Sequence, residues 1–292
     1  MDARTLGRTG LDVTVLGYGA MEIRDATRVS DDEADRLLNA VLDGGINFID
    51  TAPCYGLSEQ RIGRSIAHRR SEYFLATKCG CNVPRDDSPD APRHIWTRQR
   101  LMANIELSLK RLQCDYVDIW QLHNASVAEV DEGDLVRAME DVTKQGKVRH
   151  VSISSTVPHI ATYVDRGRFD TYQIPYSALQ RDEEDSITRA AQSGAGTIIR
   201  GGVAKGDPGN DTWRDIWQIW NTARLDDLLD PGENRYDFTL RFTITHPHMH
   251  TTIVGTKSLD HLAANIETVE RRGVLSDEVY EEAKRRLDRV MR

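Results

Sequence analysis

The run Tyr116-Val117-Asp118-Ile119-Trp120-Gln121-Leu122-His123 is short, largely apolar and closed by a histidine. Two others share its design: Ile46-Asn47-Phe48-Ile49-Asp50 ends in an acid, and Tyr73-Phe74-Leu75-Ala76-Thr77-Lys78 ends in a lysine. Runs of this length read as buried strands of a parallel sheet. Polar groups at strand C-termini are where α/β folds keep their chemistry.

Working outward, further strands fall near Val15 to Gly19, His150 to Ile153, Tyr172 to Ile174, Thr197 to Arg200 and Thr252 to Val254, which makes eight in all. Helical signals fill the gaps between them. Ser30-Asp31-Asp32-Glu33 is a capping box ahead of the stripe Leu37, Leu38, Val41 and Leu42, and Gly44-Gly45 stops that helix. Leu101, Ile105, Leu109 and Leu112 mark a helix from Thr97 to Leu112, and Val136 to Gln145 marks another. Eight alternating βα units with right-handed crossovers predict an α/β fold, a (β/α)8 TIM barrel. Gly17-Tyr18-Gly19-Ala20-Met21 fails the G-x-G-x-x-G fingerprint, which disfavours a doubly wound dinucleotide fold. Two long excursions, Gly80 to His94 and Gly201 to Tyr236, are expected at the C-terminal rim.

No composition shift or linker divides the 292 residues, so a single domain over 1–292 is expected. The formal charge of -8 argues against nucleic-acid and anionic-membrane partners. With no leader-like apolar segment after Met1 and no stretch long enough to span a bilayer, the expected location is cytoplasmic. Cys54, Cys79, Cys81 and Cys114 lack a secreted spacing and are expected as reduced thiols.

Asp50, Tyr55, Lys78 and His123 brought to one rim would make a proton-transfer site. A phenol titrates near 10, too high for ready exchange at neutrality. A nearby ammonium favours the phenolate and lowers that value, and a carboxylate holds the ammonium in place. An imidazole could orient a carbonyl oxygen. Each residue alone has an ordinary explanation as a cap, a solvated charge or a hydrogen-bonded histidine. Their joint occurrence at successive strand ends is what points to chemistry.

Longer motifs then share one likeness. Leu6-Gly7-Arg8-Thr9-Gly10-Leu11, Asp50-Thr51-Ala52-Pro53-Cys54-Tyr55-Gly56 with Ser58-Glu59 and Gly63, Ser108 to Leu112 with Asp115 to Asp118, Gln145 to Arg149, and Gly255-Thr256-Lys257-Ser258 through Asn265 occur in that order. The chain resembles the aldo-keto reductase family nearly end to end. The resemblance implies an N-terminal β-hairpin before the barrel, and NADPH as cofactor with NAD(H) the alternative. It implies interconversion of an aldehyde or ketone and its alcohol, with Tyr55 as general acid/base, Lys78 and Asp50 its tuning pair, and His123 orienting the carbonyl. A slow regulatory barrel resembling channel β-subunits is the competing reading.

The resemblance also places Gly19, Ala20 and Met21 at the nicotinamide and Ser154, Ser155 and Gln173 at its carboxamide. Gly255, Thr256, Lys257, Ser258, His261 and Asn265 would hold the adenosine end. Ser155 stands where the family usually has asparagine, His261 where an arginine is common, and Arg200 where an aromatic usually stacks on the nicotinamide. Arg200 would stack, or reach the pyrophosphate or an anionic substrate. Gly201 and Val203 would approach phosphate by backbone, with Lys205 a cation beside them. Met21, Glu22, Tyr55, His123, Asn124 and Trp213 are expected at the substrate, with Arg24 nearby, and this polar set suggests a sugar or sugar-derived carbonyl.

No metal is expected. Pro247 breaks the spacing of His246, His248 and His250; Cys79-Gly80-Cys81 lacks a partner pair; and Asp86, Asp87 and Asp90 read as a solvated loop. Trp213, Trp217 and Trp220 lie on one helical face, read first as packing over the rim.

Overall fold

A computed structural model describes residues 1–84, 91–203 and 214–291. The chain opens with an antiparallel hairpin, β1 (Ala3–Thr5) and β2 (Asp12–Thr14). Eight parallel strands follow: β3 (Leu16–Gly19), β4 (Phe48–Asp50), β5 (Phe74–Cys79), β6 (Val117–His123), β7 (Val148–Ser154), β8 (Thr171–Pro175), β9 (Gly196–Arg200) and β10 (Thr251–Val254). They close into a barrel in chain order, with β10 pairing both β9 and β3. All eight expected strands are present, and the barrel has the expected hairpin at its N-terminal end.

The hairpin plugs the barrel floor. Leu6 and Val13 are fully buried against Phe48, Ala76, Ile119 and Ile198, one residue from each of four strands. Because side chains alternate along a strand, these four inward positions fix the next layer up. Two residues further lie Asp50, Lys78, Gln121 and Arg200, and His123 follows at the mouth. The polar site is therefore the upper continuation of the apolar core.

Helices wrap the outside. They are α1 (Asp31–Asp43), α2 (Ser58–Ile66), α3 (Arg98–Leu112), α4 (Val127–Glu132), α5 (Leu135–Lys144), α6 (His159–Arg166), α7 (Glu184–Gln192), α8 (Arg214–Thr222), α9 (Arg235–Thr245), α10 (Leu259–Glu267) and α11 (Asp277–Asp288). The capping box at Ser30 and Glu33 forms as read. Gly63 lets α2 lie against the end of α3, since a Cβ there would sit 2.2 Å from the Arg111 carbonyl oxygen. Arg111 in turn donates to the Pro53 carbonyl at 3.0 Å and pairs with buried Glu59, tying α3 to the turn that carries Tyr55.

The long excursions are partly regular. Trp217 and Trp220 of α8 are buried, and Trp220 donates to Asp226 at 3.0 Å while its ring meets Phe238 edge-on. That is the packing role. Trp213, Lys205, Asp86, Asp87 and Asp90 lie outside the described residues. Among the described residues, no helix is long and apolar enough to cross a membrane.

Candidate active site

Asp50 closes β4, Lys78 lies at the end of β5 and His123 closes β6. Lys78 Nζ donates to Asp50 Oδ2 at 2.5 Å and to the Thr51 carbonyl at 3.0 Å, with both side chains almost wholly buried. The other Asp50 oxygen accepts from Gln121 at 2.7 Å and Gln173 at 2.8 Å. Gln173 accepts in turn from the Ser154 hydroxyl at 2.8 Å. Strand register produces this network, because Lys78 aligns with Gln121, and His123 with Ser154 and then Gln173. A buried carboxylate with one cation and two amide donors is fully satisfied, which fixes where Lys78 points.

Tyr55 sits in the turn between β4 and α2. Its amide donates to the Ala52 carbonyl at 3.0 Å, and Ser58 N donates to the Tyr55 carbonyl at 2.8 Å. The turn is pinned to the segment after β3, where Ser58 Oγ donates to the Ala20 carbonyl and Leu57 N to that of Arg24. Lys78 Nζ lies 5.0 Å from the centre of the Tyr55 ring, and His123 meets that ring edge-on with centroids 5.9 Å apart. The structure thus brings together all four residues read from the strand ends.

Electrostatics correct one expectation. Burial lifts the Tyr55 phenol above its ordinary range; Lys78 opposes this, but Asp50 and Cys54 add to the rise. The ammonium does not win, because desolvation of a nearly buried phenolate outweighs it. Burial pulls Lys78 down, yet Asp50 and Tyr55 outweigh it, so the amine stays charged. Burial keeps His123 below its usual range and hence neutral at pH 7.

The other expected residues lie on the same rim. Gly19 ends β3, and Ala20, Met21 and Glu22 form the 3-10 turn after it, with Met21 exposed. Ser154, Ser155 and Gln173 are buried, and Gln173 has both amide ends engaged, so a carboxamide contact from it requires exchange of a bond. Arg200 ends β9 with its Nε buried and, among the described residues, without a partner. Burial lowers its pKa, while Tyr55, Glu183 and Asp50 raise it. Gly201 and Val203 follow it. Gly255, Thr256, Lys257 and Ser258 link β10 to α10, where Ser258 caps the helix by accepting from His261 N. Lys257 lines a groove of about 290 Å³ with Arg36 and Glu33. His261 is exposed and Asn265 half-buried on α10, and Asn124 is exposed beside His123.

The sequence reading missed Gln121, although its place two residues before His123 puts it on the inward face. It also missed that Cys81 has partners. Cys54 Sγ and Cys81 Sγ lie 2.9 Å apart, 3.5 and 3.4 Å from His123 Nδ1, and His94 meets His123 edge-on at 4.9 Å. These come from separate segments, so spacing could not reveal them. His246, His248 and His250 are used locally: His246 accepts from His248 N, and His250 accepts from Thr197 N.

The description of the aldo/keto reductase family matches residues 15–207, about two thirds of the chain. The chain belongs to that family. It is therefore an oxidoreductase acting on carbonyl groups with a nicotinamide cofactor. An aldo-keto reductase from Bacillus halodurans, solved in its holo form, is 27% identical with a TM-score of 0.84, covering 98% of this chain and 96% of that one. L-galactose dehydrogenase of Arabidopsis thaliana is 27% identical over 92% of this chain and 88% of its own. D-threo-aldose 1-dehydrogenase of a Pseudomonas species is 32% identical over 66% of this chain and 67% of its own.

Proposed function

We propose that this aldo/keto reductase interconverts an aldehyde or ketone with its alcohol, using Tyr55 as general acid and base, NADPH as the preferred cofactor and a polyhydroxylated carbonyl as substrate. The observation that carries the reading is the satisfied Asp50–Lys78 pair beneath Tyr55, beside a neutral His123. The bound nicotinamide would supply or accept hydride. His123 donates an N–H to the carbonyl oxygen and Tyr55 hands it a proton. An alkoxide is far more basic than a phenolate, so a phenol held above its usual range still gives up its proton readily. Lys78 stabilises the phenolate left behind, and Asp50 holds Lys78 in place.

The cradle fits a dinucleotide. Arg200, half-buried, presents a guanidinium with a buried, unpartnered Nε among the described residues at the rim, and Lys257 and Ser258 stand at the start of α10, where a helix N-terminus favours anions. Glu33 lies close enough to feel the Lys257 charge, which offsets part of the preference for a 2′-phosphate. Gly19, Ala20, Met21, Ser154, Ser155, Gly201, Val203, Gly255, Thr256, His261 and Asn265 complete the cofactor set, and Glu22 and Asn124 the substrate side. Two relatives named as sugar dehydrogenases support a polyhydroxylated substrate.

The test follows cofactor oxidation with a panel of sugar-derived and apolar aldehydes. Tyr55→Phe should lower kcat by roughly 10² to 10⁴ while cofactor binding persists. Undiminished turnover in that variant refutes the assignment, and apolar aldehydes outrunning every polyhydroxylated one refute the substrate class.

A further inference from the structure

We propose that Cys54, Cys81, His94 and His123 form a binding site for a soft divalent metal ion, zinc foremost, on the back of the active-site imidazole. One donor atom from each residue lies within 4.8 Å of all the others. A tetrahedral zinc ion with two sulfur and two nitrogen ligands has donor–donor edges of roughly 3.3 to 3.8 Å, from the ordinary Zn–S and Zn–N bond lengths. The two sulfur to His123 Nδ1 distances, 3.5 and 3.4 Å, already match those edges. Among these three donors the sulfur pair, at 2.9 Å, has to open by about 1 Å on the same bond lengths, and His94 closes in from within 4.8 Å.

The donors are held by structure built for other reasons. Cys81 and His94 face each other across an antiparallel bridge, flanked by bonds from Asn82 N to the Arg93 carbonyl and from Ile95 N to that of Gly80. The Cys81 carbonyl accepts from buried Asn104, and Gly80 packs under Trp96, where a Cβ would come within 2.0 Å of the indole. His94 stacks on that same Trp96, with the rings 5.5 Å apart and 14° from parallel. His94 Nε2 is buried without a hydrogen-bond partner among the described residues, a polar atom that structure alone leaves unexplained. Cys54 is exposed, which gives an ion an entry path.

The chemistry suits the donor set. Two thiolates and two imidazoles select zinc over magnesium or calcium. The two thiolates neutralise the ion, so the occupied site carries no net charge beside the Lys78 ammonium. The sulfurs already lie together, with Cys81 Sγ donating to Cys54 Sγ at 2.9 Å. Binding as thiolates releases the thiol protons to solvent. Coordination at Nδ1 leaves His123 a single tautomer, with its proton on Nε2 as a donor. Binding stands on the donor geometry alone. Only the consequence for His123 rests on the reductase reading.

The experiment takes the full-length protein, reduced and stripped with chelator, and titrates cobalt(II) followed by zinc(II). The expected result is one equivalent of cobalt, a thiolate-to-cobalt charge-transfer band with tetrahedral visible bands, and displacement by zinc. His94→Asn should weaken binding at least about tenfold, the scale seen even for groups that only support a ligand. Cys54→Ser with Cys81→Ser should abolish the charge-transfer band, with far-ultraviolet circular dichroism confirming the fold. If the serine variants do not fold, zinc should still slow alkylation of Cys54 in the wild-type protein at least tenfold. Tyr55→Phe should bind cobalt normally even when inactive, which separates failure of this site from failure of the catalytic assignment. An octahedral spectrum without a thiolate band, alkylation unslowed by zinc, or a Cys54–Cys81 disulfide in protein that binds no cobalt when reduced would each overturn the site.

Discussion

Replacing Lys78 with methionine would expose what the buried ion pair does. The substitution keeps the length of the chain but removes the ammonium 2.5 Å from Asp50 Oδ2, at a position 1% exposed. Asp50 keeps two amide donors on Oδ1, from Gln121 and Gln173, while Oδ2 loses its charged partner. Breaking one side of a buried pair costs about 3 to 5 kcal/mol, and the two surviving donors put this case near 3. For a chain of this size that is a fall in Tm of roughly 5 °C. Adding Asp50→Asn removes the stranded charge, so the double variant should recover most of the stability. Activity should not return, because Tyr55 still lacks the cation that stabilises its phenolate. The assay is thermal unfolding at pH 7 beside kcat/KM for the two single variants and the double. A Lys78→Met protein as stable as the parent, or a double variant that regains both stability and turnover, refutes the argument.

Gly63→Ala should destabilise the protein by about 1 to 3 kcal/mol, the usual cost of overpacking, because the new methyl meets the Arg111 carbonyl at 2.2 Å; denaturant titration reads it. Lys257→Met should raise KM for NADPH roughly tenfold or more while leaving that for NADH little changed, since one charge-assisted bond is worth about 1.5 to 3 kcal/mol. Equal effects on both cofactors would place Lys257 away from the 2′-phosphate. Stability should fall with acid before most carboxylates titrate. His246 and His250 are pushed down from 6.5 to about 4, chiefly by burial, so the unfolded chain binds more protons across that window. Their contribution is complete above pH 6.5 and lost progressively toward pH 4, by up to about 3 kcal/mol each. His250→Asn, which keeps an acceptor for the Thr197 amide, should flatten the slope between pH 6.5 and 5; an unchanged slope counts against the assignment.

Sequence alone was enough to place the polar groups. A strand that alternates inward and outward and ends in Asp50, Lys78 or His123 carries its own address, because register with a closed barrel leaves only the mouth for an inward residue past the apolar layer. The capping box at Ser30 was legible for the same reason, since its partners lie three residues apart. Gly63 was visible as part of a motif, but its purpose was not. Only the packed helices show the Arg111 carbonyl pressed against it.

Contacts between distant segments, and the balance of burial against charge, were decided by the tertiary structure. Nothing in the sequence fixes the sign of the Tyr55 shift, because Lys78 and the surrounding desolvation act in opposite directions and only the depth of burial says which is larger. Gln121 and Gln173 reach one Asp50 oxygen from strands 71 and 123 residues away. Cys54, Cys81, His94 and His123 show no shared spacing and become neighbours only when the β5 and β6 ends and the turn before Tyr55 close over one another. Local periodicity determines which face a side chain takes; the closure of the barrel determines which side chains meet there.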